Sequence, residues 1–235
     1  MSEDKDLVTN TQFDAIANKI EGEGVALAKD TDITDEIRVT DYLTRIQVAS
    51  YGSKMVDDHL CNEGEFYQVT SMDEMEHIGP EAEIVVCASR YKAFGYREGH
   101  AEEIFDPKAP KFVEFRAKAD AGEADADGTR YAWGIEFLVW CEAVKGFHVI
   151  FFGGWNGRKT GSAIYKKTKI NQRNFRLTSE RREIKKYNSK YTAVLAIPWS
   201  EGPTVMPSDK DSELAIKMFT NPSNPEQEVK EDEDR

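Results

Sequence analysis

The segment YAWGIEFLVWC, Tyr131–Cys141, decides the fold. It is dense in aromatic and aliphatic side chains, which favour strands. Lys145 and Gly146 follow where a turn is needed, and FHVIFF, Phe147–Phe152, continues with a similar composition. Two such segments joined by a short connection are typical of a β-hairpin. We therefore expect these two segments to pair as antiparallel strands.

The chain after the hairpin predicts a loop and then a helix. Gly153–Gly157, GGWNG, is rich in glycine, as loops are. Lys159–Ile170 can form a helix that turns Ala163, Ile164 and Ile170 inward, although a glycine weakens its first turn.

Three further strands complete the predicted core. Phe175–Ile184 and Lys190–Ile197 alternate apolar and polar side chains, and Glu83–Phe94 is the strongest strand prediction in the first half. The resulting order is strand, strand, strand, helix, strand, strand. This is the element order of an OB-fold, a small Greek-key barrel that binds oligonucleotides. The sequence thus predicts a mainly β, α+β fold, with an OB-like five-stranded barrel and one inserted helix.

Composition divides the chain into four parts. Residues 1–36 predict an acidic, loosely ordered arm, and residues 37–200 the β-rich core domain. Residues 201–220 predict a short helix that packs on the core, and residues 221–235 a disordered acidic tail. Within the core domain, two shorter strands are expected at Leu43–Ser50 and Phe66–Thr70.

Charge is distributed unevenly along the chain. The 235 residues carry a formal net charge of −12, which speaks against a protein that simply coats nucleic acid or anionic membrane. Residues 131–200 nevertheless contain 13 basic and four acidic side chains, and they are also rich in aromatics.

Basic groups interleaved with exposed rings are what a single-stranded nucleic-acid groove requires, because cations follow phosphates and rings stack on bases. The other interpretation is a solvated basic face over an ordinary aromatic core. The candidate nucleic-acid-binding residues are Arg90, Tyr91, Lys92, Trp155, Arg158, Lys159, Lys166, Lys167, Lys169, Arg173, Arg176, Arg181, Arg182 and Tyr187.

Motifs for catalysis, metal binding and membrane insertion are missing from the sequence. Gly153–Thr160 is similar to a phosphate-binding P-loop, but Arg158 occupies a position that must be glycine. The three cysteines and four histidines lack metal-ligand spacing. No apolar run could span a membrane, and the first ten residues are too polar for a secretory signal. We expect a non-enzymatic cytoplasmic protein, in the host cytoplasm if viral, with no cofactor, metal or membrane partner.

The layout resembles the single-stranded DNA-binding proteins of tailed phages, of the gene 2.5 protein type. The likeness rests on the OB-like core, the basic aromatic block and the tail EQEVKEDEDR, Glu226–Arg235. It implies sequence-tolerant binding of single-stranded DNA in phage-type replication and recombination. It also implies a tail that competes with DNA and contacts replication proteins through Glu228, Glu231, Asp232, Glu233 and Asp234.

Two other functions compete with this hypothesis. One is a viral structural or protein–protein interaction module, in which the aromatics are core and the charges are solvated. The other is a nucleic-acid enzyme whose site is assembled from acidic residues far apart in the sequence.

Overall fold

The computed structural model describes residues 43–51, 54–57, 59–70, 75–97, 100–184, 189–204 and 207–220. The predicted N-terminal arm and the acidic tail lie outside these residues. The described chain is mainly β, with one mixed nine-stranded sheet and three helices of 12 to 15 residues. The mainly β, α+β prediction is confirmed.

The strands are β1 Arg45–Val48, β2 Phe66–Val69, β3 Met75–Gly79, β4 Glu81–Arg97, β5 His100–Ile104, β6 Arg130–Cys141, β7 Gly146–Gly153, β8 Asn174–Ile184 and β9 Ser189–Pro198. The helices are the single turn α1 Lys54–Asp57, α2 Pro110–Ala121, α3 Gly154–Thr168 and α4 Asp209–Thr220.

The predicted hairpin is the centre of the sheet. β6 and β7 pair antiparallel from Gly134↔Gly153 to Cys141↔Gly146. The strand order is β3-β2-β1-β7-β6-β4-β8-β9, and β5 pairs with the far end of β4. Within it, β4, β6 and β7 are successive antiparallel neighbours, and β8 returns through α3 to lie beside β4. This is a Greek-key arrangement.

The sheet does not close into the predicted five-stranded barrel. The outer edge of β7 pairs instead with β1, in parallel, through Arg45↔Val149. The β1–β2–β3 meander therefore extends the sheet from the edge where a barrel would have to close. An open seam remains between β1 and β7 on one side and β9 on the other, bridged where the Tyr51 amide donates to Thr192 Oγ1.

Apolar side chains are buried on both faces of the sheet. The inner face packs Phe137, Phe152 and Phe175 around Ile164 of α3. The outer face of β4, β6 and β7 is covered by α4, whose Ile216 and Phe219 are 1% and 0% exposed. The predicted C-terminal helix thus forms and completes the core.

Helix α3 differs from its prediction at both ends. It begins at Gly154, so four of the five residues expected in a loop form its first turn. A Cβ at Gly161 would lie 2.9 Å from the Cβ of Phe152, so this glycine lets the helix pack directly on β7. Ile164 points inward as expected, whereas Ala163 is exposed and Ile170, beyond the helix, is 77% exposed.

Candidate nucleic-acid interface

One face of α3 carries a row of exposed cations. Trp155, Lys159, Ser162, Lys166 and Lys169 follow one another at helical spacings of four and three residues, so they share one face. We call this set the α3 stripe. It is about 21 Å long at 1.5 Å per residue. The Trp155 side chain at its start is 70% exposed.

The acidic residues that the structure describes do not neutralise the lysines of the stripe. No Asp or Glu occurs between Glu142 and Glu180. Lys159, Lys166 and Lys169 form no ion pair with another described residue. The contacts they do make are with rings: Lys159 Nζ lies 5.3 Å from the Trp155 ring centroid, and Lys169 Nζ lies 5.1 Å from that of Tyr165. Lys167, beside the stripe, is half-buried and also forms no ion pair among the described residues.

Tyr91 lies near the end of the stripe. Its ring is 37% exposed, and its centroid lies 6.3 Å from that of Tyr165. Of the three candidates on β4, it alone faces solvent.

Arg90 and Lys92, the other two candidates on β4, belong to a buried charge network. Lys92 is 4% exposed, and its Nζ lies 3.0 Å from Glu136 Oε1 and 2.6 Å from Glu103 Oε1. Arg90 lies 2.6 Å from Glu136 Oε2, stacks on Phe105, and donates to the carbonyl of Phe219 at the end of α4. Both cations are engaged within the fold, so the structure does not place them among the exposed cations that a phosphate could reach.

Arg158 is on α3 but turns away from the stripe. Its guanidinium lies 2.5 Å from Asp120 of α2 and 4.3 Å from the Trp133 ring centroid. Partial burial would raise the pKa of the Asp120 carboxyl, but hydrogen bonds from Trp133 and Arg158 outweigh it and lower that pKa. Arg158 therefore fixes α3 to α2.

The arginines of β8 and the preceding loop are also engaged. Arg173 donates to the carbonyl of Val86, and Arg176 lies 2.6 Å from Glu83. The hydrogen bond with Glu83 raises the pKa of Arg176. Arg182 pairs with Glu180, and Arg181 lies 3.7 Å from Glu63 and over the ring of Tyr51. Tyr187 lies outside the described residues.

A cleft that sequence reasoning missed opens at the seam of the sheet. Its volume is about 800 Å³, within the usual range of ligand sites. Residues of β1, β4, β5, β7 and β9 line it together with the first turn of α3, which includes Trp155 of the stripe. Because β1 joins the wall only through tertiary pairing, no local pattern could have revealed this seam cleft.

The described residues show no metal centre and no membrane span. Nowhere among them do three or more His, Cys, Asp or Glu side chains come together as a set that could hold a metal ion. No helix that they form is long and apolar enough to cross a membrane.

Comparison of the chain with protein-family models, with curated proteins and with solved structures found no match in any of the three.

Proposed function

We propose that this protein binds single-stranded DNA without sequence preference, with the strand lying along the α3 stripe. The observation that carries the proposal is the row of exposed lysines on a helix that contains no acidic residue. Elsewhere, most of the predicted cations are bound to carboxylates or carbonyls. Among the predicted cations that the structure describes, those of the stripe therefore remain available to phosphates.

Aromatic rings accompany these cations, as binding to single strands requires. Trp155 stands at the start of the stripe, and Tyr91 lies beside its end. Stacking of a base on such a ring contributes about 1–3 kcal/mol whichever base it is. Rings at both ends of a basic row thus favour sequence-tolerant binding.

The architecture is consistent with an open relative of the OB-fold. The chain has a Greek-key sheet, with α3 between β7 and β8 as that fold's element order requires. A role in phage-type replication or recombination, with the tail contacting partner proteins, remains part of the proposal and rests on the resemblance of the sequence layout.

The proposal is tested by titrating an oligodeoxythymidine of about 16 nucleotides, the upper end of OB-fold site sizes, at several salt concentrations. Contacts from Lys159, Lys166, Lys167 and Lys169 should give a slope of log affinity against log salt near −3, since each phosphate on a single strand contributes about −0.7. No binding at low salt, or a slope near zero, contradicts the proposal.

A matched pair of variants locates the interface. Replacing Lys159, Lys166 and Lys169 together by Ala should reduce the slope to about −1. The control replaces the exposed Lys190, Lys210 and Lys217 by Ala, which changes the net charge equally but leaves α3 intact. Equal losses in the two variants would mean that DNA responds to total charge and not to the stripe.

A protein partner is the second candidate. Ile170 is 77% exposed immediately beyond the stripe, and Trp155 is 70% exposed at its start. Apolar side chains this exposed are also found at protein interfaces. Salt-insensitive DNA binding together with retention of a protein partner by α3 would favour this function.

A further inference from the structure

Resting on the proposed function, we propose that the seam cleft receives a nucleobase of the bound strand while the phosphates follow the α3 stripe. Trp155 belongs to both surfaces, because it begins the stripe and lines the cleft. A strand on the stripe therefore passes the mouth of the cleft. The bound strand can therefore supply the group that enters the cleft.

The charges of the cleft suit a base better than a phosphate. Arg45, Lys92, Glu103 and Glu136 are its charged lining residues, two of each sign. Lys92 bridges the two carboxylates, and Arg45 lies 3.6 Å from Glu103. The lining is thus internally neutralised, in contrast to the stripe. A phosphate would therefore gain little electrostatic attraction in the cleft, whereas an uncharged base does not depend on such attraction.

The lining of the cleft provides aromatic rings on which a base can stack and amide groups that can form hydrogen bonds with its edge. Phe151 and Tyr96 line the cleft, and Tyr96 is 48% exposed. Gln47 of β1 and Asn156 of α3 also line it, and neither side chain forms a hydrogen bond with another described residue. Each amide carries a donor and an acceptor, so both can pair with the polar edge of any base. Rings combined with unused amides favour a planar, polar-edged group.

Photocrosslinking tests this placement without requiring a fixed register of the strand. The probe is the same oligodeoxythymidine with iododeoxyuridine in place of thymidine, bound to the full-length chain. A base in the cleft should crosslink to Tyr96 and Phe151 as well as to Trp155. Tight binding with crosslinks confined to Trp155 and the rest of α3 overturns the inference.

Two variants fill the cleft from opposite walls. Thr192→Trp on β9 and Gln47→Trp on β1 should each remove the Tyr96 and Phe151 crosslinks. Each should weaken binding about tenfold, the effect of losing one stacked base. The salt slope should not change, because the phosphate contacts remain. Gln47 is exposed, so its variant decides the question if Thr192→Trp does not fold.

The matched control is Ile197→Trp, which adds the same ring to a 49% exposed position of β9 outside the cleft. It should bind like the wild type. Wild-type affinity in both cleft variants overturns this inference and leaves the proposed function standing. Absence of oligonucleotide binding by the wild type overturns both.

Discussion

Glu136 of β6 is 2% exposed and pairs with two cations of β4, Arg90 and Lys92. Replacing it by Ala should destabilise the protein by about 3–5 kcal/mol, because removing one partner leaves buried charge uncompensated. Urea unfolding measures this loss. The control is Glu180→Ala, which breaks the exposed pair with Arg182 and should change stability little. Similar stability in both variants would show that the network is unimportant for folding.

His148 gives the fold a specific dependence on pH. Its side chain is 3% exposed, and burial lowers its pKa from 6.5 to about 4. Between these values the unfolded chain binds a proton that the folded protein does not. The contribution of His148 to stability is therefore complete above pH 6.5 and decreases as the pH falls toward 4.

His148→Gln should flatten this part of the stability curve. Wild type should lose about 1.4 kcal/mol per pH unit within the window from this group alone. Glutamine does not titrate, and its amide can both donate and accept, so it can replace His148 in the hydrogen bond between Nδ1 and Thr44 Oγ1. Urea unfolding at pH 7 and pH 5 measures the difference for both proteins. Equal losses would mean that His148 titrates normally in the folded state.

At the scale of elements, α4 should unfold together with the sheet. Ile216 is 1% exposed against the outer face, so Ile216→Ala should destabilise the whole protein by about 2–5 kcal/mol. Leu214, two residues earlier and 41% exposed, is the matched control and should have a much smaller effect. A local loss of helix signal without a shift of the main unfolding transition would show that α4 is only loosely attached.

The elements that were predicted well are those with local patterns. The β6–β7 hairpin and α4 follow from apolar periodicity within each segment. Glycine disfavours helices, so Gly153–Gly157 predicts a loop. Packing against β7 overrides this preference, since a Cβ at Gly157 would lie 3.3 Å from the carbonyl carbon of Phe152, and the glycine lets the first turn of α3 lie against the strand. The element order predicts a closed barrel, and no local pattern reveals that β1 occupies the edge of β7.

The sequence predicts exposed cations correctly where their exposure follows from the periodicity of a helix. The lysines of the α3 stripe lie on the surface, as their spacing allows. Lys92 does not, because its partners Glu103 and Glu136 meet it only through pairing with β5 and β6. The seam cleft likewise depends on strands that are distant in sequence. Whether a cation is paired within the fold or exposed to solvent depends on its tertiary partners, and composition does not show these.

At the scale of the whole molecule, charge has to be considered locally. The net charge is −12, yet the stripe lies in a segment without acidic residues. Charges farther apart than about 8 Å are largely screened at physiological ionic strength. A phosphate at the stripe therefore responds mainly to its lysines. The proposed competition by the tail is the exception, because a segment of the same chain stays at a high effective concentration near the stripe.

The acidic tail is long enough, and charged enough, to compete with DNA for the stripe. Glu226–Arg235 contains six acidic and two basic side chains and follows α4, which ends at Thr220. Fifteen residues span at most about 50 Å, enough to reach any face of a domain with a radius of gyration of about 16 Å. At low salt the tail should compete with DNA for the stripe, at the high effective concentration of a tethered ligand.

Deleting Glu226–Arg235 should therefore tighten oligodeoxythymidine binding at low salt, and the gain should shrink as salt rises, because the competition is electrostatic. Titration of both proteins across the salt range measures this. A full-length variant with Glu231, Asp232, Glu233 and Asp234 changed to Gln or Asn should behave like the deletion, because charge and not length causes the competition. A tail that only maintains solubility predicts equal affinities at every salt concentration, with poorer solubility after truncation. Equal affinities at low salt would therefore assign the tail to solubility and leave the α3 stripe unregulated by its own chain.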